Sequence, residues 1–139
     1  EMITYFGPPI LGSLAELTSD PEERRRCLEE AERILESECT VHNHFLFARP
    51  AIELSLRLGD WDNAQRYAQA IEEKFCAEPV PIVTFTVQRA HALIAAGRGG
   101  RDPALLASLE RLASEAREGY ASIWAGALEQ AAARLRAQI

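Results

Sequence analysis

The sequence contains no long apolar run. Its uninterrupted hydrophobic stretches are a few residues each, far from the roughly 20 needed for a bilayer-spanning helix, so no membrane insertion is expected. Cysteine is scarce as well. Cys27, Cys39 and Cys76 are an odd number at irregular spacing, which fits reduced thiols in a cytoplasmic protein rather than a disulfide framework. Positive charge is in short supply: 15 Lys and Arg stand against 21 Asp and Glu, for a formal net charge of −6. An acidic chain without a basic stripe gains no counterion-release affinity, so DNA and RNA are excluded as expected partners. A phosphate loop of the form Gly-x-x-x-x-Gly-Lys-Ser/Thr is missing. The stretch Gly97-Arg98-Gly99-Gly100-Arg101 follows no strand and contains no Lys-Ser/Thr, so it reads as a turn. The opening Glu1-Met2-Ile3-Thr4-Tyr5-Phe6 lacks the basic and apolar regions of a signal peptide. A chain that is apolar by Ile3 is expected to be part of a larger protein.

What is present favours helix. The 139 residues are 47% hydrophobic and 26% charged, with Ala, Leu, Glu and Arg prominent, a mix of good helix formers. Length alone suggests a single domain, residues 1–139. A chain of this size buries roughly 68–70% of its unfolded surface and needs no metal or disulfide to fold.

Three phrases recur: Ser19-Asp20-Pro21-Glu22-Glu23, Gly59-Asp60-Trp61-Asp62-Asn63 and Arg101-Asp102-Pro103-Ala104-Leu105, their Asp residues 40 and 42 positions apart. Each Asp separates two helical apolar patterns and therefore reads as an N-cap, its carboxylate accepting from the first-turn N–H groups. Pro21 and Pro103 follow at the first helical position, where a missing N–H costs nothing. Gly59 and the Gly97/Gly99/Gly100 cluster close the preceding helices.

The spacing thus predicts an all-α chain of about seven antiparallel helices, three hairpins plus a closing helix. They are expected at Ile3–Leu17, Pro21–Ser37, His44–Leu58, Trp61–Ala77, Ile82–Ala96, Pro103–Arg117 and Tyr120–Ala137. On the second helix Cys27, Leu28, Ala31, Ile34 and Leu35 form the inward set. Glu22/Arg26, Arg25/Glu29 and Glu29/Arg33 lace a solvated face. Trp61, Ala64, Ala68, Ile71 and Phe75 are the inward set of the fourth helix. Val83-Thr84-Phe85-Thr86-Val87 alternates like a strand, but no second strand exists to pair with it, and helix is expected. Pro50 should kink the third helix.

Helical hairpins recurring at this period are the mark of an α-solenoid. Gly59-Asp60-Trp61-Asp62-Asn63-Ala64-Gln65-Arg66-Tyr67-Ala68 resembles the turn and second helix of a tetratricopeptide repeat, with small Ala64 where paired helices approach. Ile52 and Ser55 depart from that motif, and the repeat is longer than its 34 residues. The series Gly7-Pro8, Ser19-Asp20-Pro21, His42-Asn43-His44-Phe45, Ala51-Ile52-Glu53, Gly59-Asp60-Trp61-Asp62 and Arg89-Ala90-His91-Ala92-Leu93 resembles a narrower family. That family is the C-terminal helical-repeat region of bacterial multidomain signalling proteins, which carry a class III adenylate/guanylate cyclase-like domain and an ATPase module. Pro50 departs from its pattern. The resemblance implies a regulatory or scaffolding module whose catalytic domains lie elsewhere.

Candidate sites are few. Cys39-x-x-His42-x-His44 offers three soft or borderline ligands, but zinc sites usually draw a second ligand pair from further along the chain. Cys27, Cys76 and His91 do not supply one at a recognisable spacing, so no metal or cofactor is expected. Cys39 instead packs as a small hydrophobe, and His42 or Asn43 caps the third helix. In a solenoid the first helix of each pair lines the concave face, which makes His44, Arg49, Gln88 and Arg89 the expected binding residues. Arg49 and Arg89 either clamp a partner carboxylate or pair internally with Glu53 or Glu16. Tyr5, Phe6, Phe45, Phe47 and Phe85 are expected in the core. Asp20, Asp60, Trp61, Asp102, His42 and Asn43 are structural. The expected function is non-catalytic: binding a protein or peptide, another domain of the same polypeptide, or a second copy of the chain. Sensing of a small ligand or peptide on the concave face is the alternative, and a metal-dependent enzyme using His42 and His44 ranks last.

Overall fold

A computed structural model of the chain describes residues 2–37, 39–120 and 122–139, with side chains from residue 6 onward. The described residues form seven α-helices and no strand: α1 (Met2–Leu17), α2 (Pro21–Leu35), α3 (Val41–Leu58), α4 (Trp61–Phe75), α5 (Pro81–Gly97), α6 (Pro103–Gly119) and α7 (Ser122–Arg136). The all-α expectation holds. No helix among the described residues is long and apolar enough to cross a membrane.

Local chemistry sets the boundaries. Asp20 accepts from the Glu22 N–H at 3.0 Å, Asp60 from Asn63 at 3.2 Å and Asp102 from Ala104 at 2.8 Å. All three are the expected N-caps. Gly59 ends α3 at φ +70, a left-handed position that glycine takes without a Cβ penalty. The β-branched run at 83–87 is helical. Pro81 pre-sets its first turn, and Thr86 Oγ1 donates to the Ile82 carbonyl at 2.8 Å.

The start of α3 corrects the sequence reading. Thr40 is the N-cap, with extended backbone at φ −66, ψ 148 and no side-chain cap bond, so the helix begins three residues before His44. His42 and Asn43 lie within its first turn, and neither is the N-cap residue. Asn43 donates its backbone N–H to the Thr40 carbonyl at 3.0 Å, and the residue is 2% exposed. Pro50 is buried within α3, which continues to Leu58.

The helices form two compact units, Glu1–Pro79 and Val80–Ile139. In the first, α1 packs on α2 and α3, α3 packs on α4, and α2 touches α3. Its core holds Ala15, Ala31, Ile34, Phe45, Phe47, Ile52, Leu54, Ala64, Ala68 and Ile71. Ala64 is fully buried, consistent with a small residue where helices approach closely. In the second unit α5 packs on α6 and α7, and α6 on α7, around Phe85, Leu109, Leu112, Ala116, Ala125, Leu128 and Leu135.

Trp61 and Phe75 are only half-buried, whereas Tyr67, absent from the expected core, is 5% exposed. Tyr67 can be buried because its hydroxyl donates to Glu32 Oε1 at 2.7 Å. Asp60→Ala should cost about 1 kcal/mol as a lost cap. Trp61→Ala should cost about 2 kcal/mol, below the 3–5 kcal/mol of a fully buried aromatic. Thermal melts of the two variants check the ordering. Equal melting temperatures for Trp61→Ala and wild type would contradict it.

Candidate functional site

A groove of about 290 Å³ opens among α2, α3 and α4 of the first unit. Helical spacing presents each wall. Glu32 and Leu35 come from α2 and Glu36 from its C-cap, His44, Phe47 and Ala48 from α3, and Arg66, Tyr67, Ala70, Ile71 and Lys74 from α4. Phe47, Ala48 and Ile71 are buried and make an apolar floor. Phe47 meets Tyr67 edge-on with ring centroids 5.7 Å apart.

One polar network ties α2 to α4. The Arg66 guanidinium donates to both Glu32 oxygens at 3.2 and 3.1 Å, and the Tyr67 hydroxyl donates to Glu32 Oε1 at 2.7 Å. Arg66 also lies 4.4 Å over the Tyr67 ring centroid. Its Nε donates to Asn63 Oδ1, and Asn63 Nδ2 donates to the Asp60 cap carboxylate, so the network runs from the N-cap of α4 to the groove. Burial alone would push the Glu32 carboxyl up, but the hydrogen bonds from Arg66 and Tyr67 and the Arg66 charge outweigh it and hold the group below its ordinary value. Burial and the adjacent Glu32 push the Tyr67 hydroxyl up, so it stays a donor throughout the neutral range.

Because the folded carboxyl of Glu32 titrates below its unfolded value of 4.5, its stabilisation is present above that pH and disappears as pH falls further. Glu32→Gln should therefore flatten the acid limb. The wild-type melting temperature should fall more steeply than the variant's below pH 4.5, and parallel curves would rule the network out as the cause.

The binding residues expected from sequence are not brought together within either unit. His44 is half-buried and lines the groove. Burial, then the nearby Lys74 charge, pushes its imidazole down, so it is neutral at pH 7. Arg49 is exposed on α3 and does not line the groove. Gln88 is exposed on α5. Arg89, expected at a surface, is 5% exposed and donates through Nε to the Trp124 carbonyl at 3.2 Å, tying α5 to the start of α7. Glu16, offered as an internal partner for these arginines, faces Arg57, which donates to the Glu16 carbonyl at 2.7 Å. Cys39 Sγ lies 3.4 Å from the Ile34 carbonyl. Among the described residues no group of three or more His, Cys, Asp or Glu is placed to hold a metal.

The expected solvated face of α2 is present: Arg25 pairs with Glu29 as expected and also with Glu22, while Arg33 pairs with Glu30 rather than Glu29. Glu32 turns from that helix toward α4.

The other unusual surface is on α1. Phe6, Ile10, Leu14 and Leu17, spaced i, i+4, i+8 and i+11, are 54%, 56%, 50% and 81% exposed and share one face. Pro8, Gly12 and Ala15 lie on the opposite face and are buried. A Cβ on Gly12 would stand 3.1 Å from Phe47 Cδ2 and Pro50 Cγ, so α1 meets α3 through its smallest residues. Phe6, Ile10, Leu14 and Leu17 point the other way, and Glu16 is the only charged residue of the helix. Phe6, expected in the core, is on this stripe. Phe45, Phe47 and Phe85 are buried as expected, and the Tyr5 side chain lies outside the described residues.

No family model, curated protein or solved structure matches the chain.

The functional reading therefore rests on these two surfaces. The α1 stripe was legible in the sequence as four large apolar residues at helical spacing. The groove was not, because it depends on Glu32 meeting Arg66 and Tyr67 from 34 and 35 residues away.

Proposed function

We propose that the chain is a non-catalytic interaction module that docks an amphipathic helix of another protein, or of another segment of its own polypeptide, along α1. The observation that carries this reading is the sidedness of α1. A helix that served only its own unit would turn Phe6, Ile10, Leu14 and Leu17 inward, where each large apolar side chain contributes roughly 1.5–3 kcal/mol on burial. Here the small residues do the internal packing, and a contiguous apolar stripe faces outward. Apolar patches of this kind mark interaction surfaces, and the i, i+4 spacing suits helix-on-helix packing.

Three Asp-capped hairpins, α1/α2, α3/α4 and α5/α6, support reading the module as a tetratricopeptide-like helical repeat. Its membership of a cyclase-like signalling protein rests on the motif resemblance alone.

The test compares partners captured by wild-type protein and by Ile10→Glu/Leu14→Glu protein, with hydrogen exchange of each complex. Both positions are exposed, so the variant should melt like wild type. Partners held by wild type should be lost on substitution, and the α1 amides should gain protection in the complex. Equal capture by both proteins, with no added protection on α1, would overturn the reading.

A further inference from the structure

The geometry points to a binding site in the groove among α2, α3 and α4 for a small zwitterion with an apolar body, the chemistry of a free aromatic or branched aliphatic α-amino acid. This site shares no residue with the α1 stripe, so failure of either leaves the other standing.

Size comes first. A groove of about 290 Å³ lies at the small end of ligand sites and suits one amino acid better than a cofactor. Its floor of Phe47, Ala48 and Ile71 is buried and apolar, which fits a hydrophobic side chain.

Charge then selects the head group. Four charged side chains face the groove: Glu32, Glu36, Arg66 and Lys74. Glu32 and Arg66 satisfy each other at 3.1 Å and are closed to a ligand. Neither Glu36 nor Lys74 has an ion pair among the described residues. Arg33, the cation nearest Glu36 on α2, is held by Glu30. Glu36 belongs to the α2 wall and Lys74 to the α4 wall, and the His44 imidazole beside Lys74 has no side-chain hydrogen bond among the described residues. One wall thus offers an acceptor for an ammonium group. The facing walls offer a cation and an imidazole donor for a carboxylate. A simple carboxylic acid would leave Glu36 facing an anion, and a simple amine would leave Lys74 facing a cation. A zwitterion satisfies both.

The experiment is a nuclear magnetic resonance titration of the whole chain with L-phenylalanine as probe. It is repeated with 3-phenylpropionate, which lacks the ammonium, and with L-phenylalaninamide, which lacks the carboxylate. Phenylalanine should give saturable shifts at His44, Ile71 and Lys74. Each analogue should bind about fivefold more weakly, as expected for loss of one partly exposed charge pair. Lys74→Met and Glu36→Gln, both at exposed positions, should each weaken phenylalanine by a similar factor. Ala70→Phe, also exposed, should fill the groove and abolish the shifts without loss of helix. The proposal is overturned if no saturable shift occurs up to the solubility limit. It is equally overturned if either analogue binds as tightly as phenylalanine, or if Ala70→Phe leaves binding unchanged.

Discussion

Leu109→Ala is expected to destabilise the second unit by about 3–5 kcal/mol. Leu109 is fully buried on α6, in a cluster completed by Phe85 of α5 and by Ala125, Leu128 and Leu135 of α7. Its neighbours cannot close the resulting cavity easily. Leu112 and Leu128 are themselves at most 1% exposed, and the Phe85 ring is stacked on Tyr120 at 4.5 Å. A unit of this length has a stability of only a few kcal/mol at typical per-residue values, so the loss consumes much of it. Hydrogen exchange over α5–α7 reads the effect, with amides that are protected in wild type exchanging at nearly the unfolded rate. Leu105 or Leu106, half-buried on the same helix, should cost clearly less when truncated. A loss below 1 kcal/mol at Leu109 would mean that the core of this unit is not as described.

Gly12→Val should cost about 3 kcal/mol, by the opposite mechanism of overpacking. The added methyls would be driven into Phe47 and Pro50, and neither can give way. Phe47 is 3% exposed and locked edge-on to Tyr67, the Pro50 ring is rigid, and the Phe47 carbonyl is 3.2 Å from the same point. Gly12→Ala separates the competing effects. Alanine gains roughly 1 kcal/mol in helix propensity over glycine and loses a similar amount to the tight contact, so its melting temperature should barely move. If Gly12→Ala stabilised the protein by the full propensity gain, the close approach of α1 and α3 would be refuted.

Much of the fold was legible because it is written in local chemistry. Asp20, Asp60 and Asp102 cap through bonds spanning two or three residues, and Pro21, Gly59 and Pro103 act within a single turn. Those signals place the starts of α2, α4 and α6 and the end of α3. The misreadings concern partners far apart in sequence. The start of helix three is misplaced in the sequence reading because Asn43 is a stronger side-chain cap than Thr40, whereas Thr40 takes the cap position without a side-chain cap bond. Nothing local distinguishes Glu32 from Glu29 or Glu30. Only the packing of α4 beside α2 turns it inward. Tyr67 was overlooked for the same reason, and Arg89 was placed at a surface although its carbonyl partner lies 35 residues on. Phe6 was assigned to the core on size. Helical spacing leaves open which face of α1 meets α3, and small Gly12 decides that.

This division of labour on α1 separates what holds the molecule together from what it can contact. Stability at this helix depends on buried Pro8, Gly12 and Ala15, and at Gly12 a side chain larger than alanine meets Phe47 and Pro50. Ile10, Leu14 and Leu17 are at least half exposed, so their shapes can vary with small effect on melting temperature. A lineage of such chains could change which helix it accepts through a handful of exchanges on one face while its scaffold stays fixed.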